Sequence, residues 1–246
     1  MTGLLAAEFL KLRTTRTVWA LLAAAVGVSA LAVASAVVVG TDTSVDLEST
    51  RGVRSILSVS AGGAIFVLVL GIIVSAGEYR QGTAVDTFLT TPRRWRVIAA
   101  KLAAAATTGV VFGSLAAGAS IAVADLVYRL EGLTFPFDSS DAWTTLGGAV
   151  LYATLFGAIG AATGSLVRNQ VAAIVGWLAW FAVVEHITVG LFPDVGRWLP
   201  LAAGSALVRP PNSEELLAPL TAAVVLTGYA ACIVSAAILS ERYRDA

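Results

Sequence analysis

Long runs of apolar residues alternate with short polar connections along this 246-residue chain. A bilayer core needs roughly 20 apolar residues in a helix, and each run is near that length. Because lipid offers no partner for backbone N–H and C=O groups, each run is expected to be helical. The pattern predicts an all-α integral membrane protein with six spans, at residues 18–40, 56–77, 97–127, 146–167, 171–192 and 218–240.

Composition supports a lipid environment and excludes several classes of protein. Hydrophobic residues make up 57% of the chain and charged residues 13%, against about 25% charged in soluble domains. The formal net charge is zero, so charge gives no reason to expect a nucleic-acid partner. The connections are short, which predicts a single transmembrane domain over residues 1–246 with no soluble or nucleotide-binding domain.

Basic residues are distributed unevenly between the two sides of the predicted bundle. Most of the 16 basic residues fall on the side of the two termini, which also holds residues 78–96 and Arg168. Cytoplasmic segments of membrane proteins are enriched in Lys and Arg. We therefore expect both termini to be cytoplasmic.

Two glycine pairs stand one helical turn apart within predicted spans. They are "GVVFG" at Gly109–Gly113 and "GAATG" at Gly160–Gly164. Small residues at this spacing let membrane helices approach closely. We expect both to pack within the subunit, with a dimer contact as the alternative.

The connection between the second and third spans is more elaborate than a simple loop. It reads "GEYRQGTAVDTFLTTPRRWRVIAAK", Gly77–Lys101. Thr83 and Asp86 have capping-box spacing, and Val85, Phe88 and Leu89 share one helical face. This predicts a short cytoplasmic helix; a solvated loop whose arginines only fix topology is the alternative. Lys101 is expected to snorkel back to the interface.

This stretch resembles the same connection in type-2 permeases of ATP-binding-cassette (ABC) exporters of bacteria. The resemblance is carried by Glu78, Gly82–Thr83, Leu89, Pro92–Arg93–Arg94 and Lys101. The opening "EFLKLRTTRTVWALL", Glu8–Leu22, is similar to the family's interfacial elbow helix. In such permeases the connection contains a coupling helix that contacts a separate ATPase subunit. The resemblance implies that this contact is made by Glu78, Tyr79, Arg80, Gly82, Thr83, Val85, Phe88 and Leu89.

The same resemblance implies the partners and the cargo. ATP and Mg would be bound by the ATPase subunit, with no cofactor on this chain. A second permease chain, identical or different, would complete the pore in the bacterial cell membrane. The cargo would be hydrophobic or amphipathic, such as a drug, a peptide antibiotic or a lipid, and would move outward. Its path would be lined by spans two and five, through Phe66, Leu70, Trp177, Trp180, Phe181, Glu185 and His186.

Two segments outside the spans have patterns of their own. Leu5, Phe9 and Leu12 share one face, which predicts a helix lying in the headgroup region; a plain basic anchor is the alternative. Between spans five and six, the apolar run Leu199–Val208 is too short to cross a bilayer and is flanked by prolines. It predicts a re-entrant or interface-lying piece, with an ordinary extracellular loop as the alternative.

Glu185 and His186 are unusual because ionisable groups inside a membrane are costly and tend to face a cavity, a partner helix or a substrate path. A structural hydrogen bond or an interfacial position is the alternative for both. They also allow a second function, a stand-alone proton-coupled secondary transporter. A membrane enzyme is disfavoured, because the chain has one histidine, one cysteine and no metal-binding or phosphate-loop motif. We expect neither a catalytic nor a metal site.

Overall fold

The computed structural model describes residues 2–42, 46–47, 49–81, 94–210 and 215–243. Helices make up 88% of the structure, and no strand occurs among these residues. Six helical segments are long and apolar enough to cross a membrane, which confirms the predicted all-α membrane fold. They are span one, Arg16–Gly40; span two, Thr50–Gly77; span three, Ala99–Leu130; span four, Ser140–Val167; span five, Gln170–Leu191; and span six, Pro219–Ser240.

Two of the spans are built from more than one helical piece. Span two contains a 3₁₀ turn at Val59–Gly63, and span five contains a π-helical turn at Trp180–Glu185. The α-helices in chain order are α1 Thr2–Thr14, α2 Arg16–Asp42, α3 Thr50–Ser58, α4 Ala64–Gln81, α5 Arg94–Leu130, α6 Ser140–Val167, α7 Gln170–Ala179, α8 His186–Leu191, α9 Pro193–Gly196, α10 Pro200–Leu207 and α11 Pro219–Tyr243.

The predicted N-terminal helix is present as α1, and it packs against the bundle through a face that includes Glu8 and Leu12. Phe9 is 41% exposed, whereas Glu8 and Leu12 are buried at 3% and 7%. Phe9 is thus free to face lipid, and the expectation that α1 lies in the headgroup region stays a prediction. The buried face includes an acid because a basic residue on span three lies opposite it.

Span four is the centre of the bundle and lies against spans two, three and six. Its glycines allow these close approaches. A Cβ on Gly160 would lie 2.1 Å from the Leu68 carbonyl oxygen on span two, and one on Gly109 of span three would lie 2.7 Å from the Thr154 Cα. Both glycine pairs singled out in the sequence thus serve packing within the chain.

The segment between spans five and six is folded against the bundle rather than solvated. Helix α10 begins with Pro200, a residue suited to the first helical position. Ala203, Ala206 and Leu207 of α10 are almost fully buried. A Cβ on Gly148 would lie 2.0 Å from the Leu207 carbonyl oxygen, so α10 rests directly on span four. The predicted re-entrant piece is a short helix packed between spans four and six.

Candidate functional site

The predicted coupling contact begins in the last residues of helix α4, where span two ends. Helix α4 continues past the apolar part of span two to Gln81, so Glu78, Tyr79 and Arg80 lie in its last turn. The side chain of Tyr79 is half-buried. Five further residues of the predicted contact lie outside the described residues: Gly82, Thr83, Val85, Phe88 and Leu89.

Tyr79 is contacted by the turn that joins spans four and five. Arg168 ends α6 in the left-handed conformation, with φ of 57°, and its N–H donates to the Gly164 carbonyl at 3.0 Å. Its guanidinium lies 5.0 Å from the centroid of the Tyr79 ring, within the range of a cation–π interaction. The turn before span five is thereby in contact with the last turn before residues 82–93.

A buried ion pair joins α1 to span three at the same end. Lys101 is 4% exposed, and its Nζ lies 3.8 Å from Oε1 of Glu8. Lys11 donates to the same Oε1 at 3.0 Å. The expectation that Lys101 snorkels to the interface is wrong, because Glu8 supplies a counter-charge inside the bundle and makes burial of the ammonium tolerable.

A cavity of about 390 Å³ lies between spans four, five and six and the start of α10. It contains two of the predicted cargo-path residues, Trp177 and Trp180. The Nε1 of Trp177 donates to Oγ1 of Thr163 on span four at 3.1 Å, which fixes the plane of the indole. Other lining residues are Pro200 of α10 and Tyr229 and Ile233 of span six.

Glu185 lies at the end of the π-helical turn and caps the N-terminus of α10. Its side chain is 2% exposed, and its Oε1 accepts the Ala202 N–H at 2.8 Å. The first amides of a helix have no partner within the helix, so a carboxylate there satisfies them and complements the helix dipole.

The second oxygen of Glu185 is less well satisfied. Within the described part of the chain, Oε2 has no partner that meets hydrogen-bond geometry. His186, the next residue, is exposed. The structure therefore does not bring Glu185 and His186 together, as expected for adjacent positions about 100° apart on a helix.

Three further predicted cargo-path residues do not line the cavity. Leu70 is 2% exposed in the core, and Phe66 is half-buried against that core. Phe181 is buried and stacked on Phe156, with ring centroids 5.8 Å apart. None of the three lines the cavity.

Three residues were not predicted from the sequence as parts of the cavity or of the contact with Tyr79: Tyr229, Thr163 and Arg168. Tyr229 carried a usable signal, because it is the aromatic residue of an otherwise aliphatic span six. Thr163 and Arg168 carried none, since a threonine in a glycine-rich span and an arginine between spans are ordinary in membrane proteins.

Residues 4–184 match the family model described as ABC-2 family transporter protein. The chain belongs to this family. The match runs from α1 to the residue before Glu185, so α10 and span six lie beyond it. No curated protein and no solved structure matches the chain.

Membership of the ABC-2 family makes the chain a multi-pass permease subunit of an ABC-type transporter. The family implies a partner subunit that binds ATP. Within that assembly the permease is a transport component. The resemblance drawn from the connection between spans two and three is confirmed at the level of the family.

Proposed function

We propose that this ABC-2 permease is the membrane subunit of an exporter. It moves a hydrophobic or amphipathic cargo outward, driven by ATP hydrolysis on a separate ATPase subunit that binds ATP and Mg. Two permease chains, most simply identical, form the complete pore in a bacterial cell membrane, with both termini in the cytoplasm. The distribution of basic residues supports this orientation.

The observation that carries the proposal is the pair of charged contacts beside residues 82–93. Arg168 packs on Tyr79 just before this segment, and Glu8 pairs with Lys101 just after it. On this proposal, a displacement of that segment by the ATPase would act on the turn before span five and on α1 as well as along the chain. An adaptor to an external ATPase needs such rigid connections, because the force must reach the spans.

The cavity supports an apolar or amphipathic cargo. Ligand sites are mostly apolar concavities of about 300–1,000 Å³ with a few polar groups, and this cavity of about 390 Å³ is walled chiefly by aromatic and aliphatic side chains. It also lies on span five, which begins directly after Arg168 and Asn169. Cargo and coupling elements are thus joined by one continuous helical segment.

We predict that Phe88→Asp reduces association with the ATPase by at least about tenfold, since loss of an apolar anchor at an interface centre typically costs 2 kcal/mol or more. The tagged chain is purified in mild detergent from its native host, and co-purifying phosphate-loop ATPase is quantified by mass spectrometry. Phe192→Asp is the matched control, because Phe192 is exposed at the opposite end of the bundle.

Either of two results would contradict the proposal. One is repeated absence of any phosphate-loop ATPase with the unaltered, monodisperse chain. The other is equal ATPase recovery with Phe88→Asp and Phe192→Asp, which would place the coupling contact elsewhere.

A further inference from the structure

We infer that the cavity between spans four, five and six holds one acyl chain of a bilayer phospholipid, which enters sideways between spans five and six. The inference deepens the proposed function and rests on it for one point, that this cavity belongs to the cargo path. It specifies that the cavity takes an alkyl chain, and it gives that chain an entrance from the bilayer. The walls formed by α10 and span six lie outside the part matched to the family.

Spans five and six stand apart, and the cavity occupies the gap between them. Span five packs on spans two and four, whereas span six packs on span four and α10. No close packing of span five against span six occurs among the described residues. Span four forms the floor of the gap through Thr163 and Val167. The cavity is therefore a cleft with span four behind it and one span on each side.

The two side walls of the cleft are facing stripes of residues. Ala172, Gly176 and Trp180 stand four residues apart on span five, and all three are exposed. Tyr229 and Ile233 form the corresponding stripe on span six. A Cβ on Gly176 would meet nothing within 4 Å. The cleft is thus accessible from the bilayer, and the missing side chain of Gly176 leaves space in its middle.

The lining of the cleft selects an uncharged, apolar ligand. Among the described residues that line it there is no Lys, Arg, His, Asp or Glu. A charged group placed there would lose its hydration without gaining a counter-charge. The Thr163 hydroxyl is already engaged, since it donates to the Ile159 carbonyl at 2.8 Å and accepts the Trp177 indole N–H at 3.1 Å. The walls therefore offer mainly dispersion contacts, which suit a hydrocarbon.

The size of the cleft distinguishes a single chain from a helix. From Ala172 to Trp180 span five rises about 12 Å, and the cavity volume is about 390 Å³. A helix about 10 Å across would need roughly 900 Å³ over that length, so a helix of a second copy does not fit. At roughly 30 Å³ for each water-sized group, the cavity holds about 13 such groups. That is close to the number of methylene groups in a common fatty acyl chain.

The cleft is covered at one end, which sets the direction of the chain. Pro200 begins α10 and lines the cavity, and α10 lies beyond Trp180 at the Glu185 level of span five. Ala172, in the first turn of α7, marks the other end. A phospholipid that enters here has its ester near Ala172 and the methyl end of its chain near Trp180.

The test is photo-crosslinking of the full chain in vesicles of phosphatidylethanolamine and phosphatidylglycerol. A small fraction of the phosphatidylethanolamine carries a diazirine near the methyl end of one acyl chain, and labelled residues are located by mass spectrometry. We expect labelling of Trp180 and Tyr229 to exceed that of Val110 and Val111 by at least about tenfold. These valines are exposed on span three and report ordinary boundary lipid. A diazirine near the ester should move the labelling to Ala172.

Matched variants assign the labelling to the cleft. Gly176→Leu places a side chain in its middle and should lower labelling of Trp180 by at least about tenfold. Gly190→Leu is the control, because Gly190 is equally open on the same span but does not line the cavity. Ile233→Trp fills the cleft from span six and should act like Gly176→Leu. Unchanged labelling of Val110 in each variant shows that the bundle is intact.

Three outcomes overturn the inference. Equal labelling of Trp180 and Val110 would mean that the cleft holds only ordinary boundary lipid. Strong labelling that neither Gly176→Leu nor Ile233→Trp lowers would place the bound chain elsewhere. Crosslinks of Trp180 to a second copy in place of lipid would make the cleft an interface between subunits. Because the assay contains no ATPase and measures no transport, these failures are distinct from failure of the co-purification test.

Discussion

Spans four and five have almost the same hydropathy but opposite surroundings. The most apolar stretches of the two spans have mean hydropathies of 1.6 and 1.7. Nevertheless, 56% of the stretch in span four is buried within the chain, against only 17% of the stretch in span five. Hydropathy therefore predicts that a segment crosses the membrane but not what covers it. Span four is covered by the chain's own helices, whereas span five presents its surface to lipid, to cargo or to another subunit.

The glycines of the two spans show the same difference. In span four, Gly148, Gly157 and Gly160 each meet backbone or side-chain atoms of another helix at less than 3.0 Å from an added Cβ. In span five, Gly176 and Gly190 have nothing within 4 Å of such a Cβ. Glycine allows close packing only where another helix lies against it.

The largest expected effect on the free energy of unfolding comes from replacing a glycine at a helix contact by alanine, compared with the same replacement at an open position. Gly160→Ala should lower the free energy of unfolding by about 3 kcal/mol, because its Cβ would lie 2.1 Å from the Leu68 carbonyl oxygen and overpacking forces the helices apart. Gly176→Ala should change it by less than about 0.5 kcal/mol, as for surface substitutions without a packing role. Thermal unfolding of both variants in one detergent measures the difference, and equal shifts would disprove the comparison.

A smaller effect is expected at the contact between span five and α10. Glu185→Ala should cost about 2 kcal/mol, since leaving a buried donor without its acceptor costs roughly 1–3 kcal/mol. Helix α10 should lose protection because the Ala202 N–H loses its acceptor. Hydrogen–deuterium exchange over residues 199–208 provides the measurement. His186→Ala is the control, because that neighbour is exposed. If both variants exchange like the unaltered chain, Glu185 does not hold α10 in place.

The smallest effect is expected where spans four and five share a side-chain hydrogen bond. Thr163→Val keeps the shape but removes the acceptor for Trp177, and it should cost about 1 kcal/mol. Thr107→Val is the control, because Thr107 is exposed and its hydroxyl bonds only within its own helix. Thermal unfolding compares the two variants. A larger loss in Thr107→Val would mean that the Thr163–Trp177 bond does not connect the spans.

The sequence was sufficient for the spans, for α1 and for the re-entrant helix, because length and apolar pattern depend only on neighbouring residues. Trp177 and Trp180 stand out in the sequence as large aromatics in a membrane helix, and both line the cavity, but their place in a cargo path stays a prediction. The sequence failed at Lys101, where the pairing acid is in another helix. Leu70 and Phe181 are buried by the fold, and their place in a cargo path stays a prediction. Side-chain partners between distant segments depend on how helices pack, and no local pattern records that.

The pairing of Glu8 with Lys101 sets an order of events during synthesis. Lys11 is made almost together with Glu8 and can neutralise it at the membrane surface at once. Lys101 emerges only after spans one and two have been made. The contact between α1 and span three can therefore form only after the third span has been made.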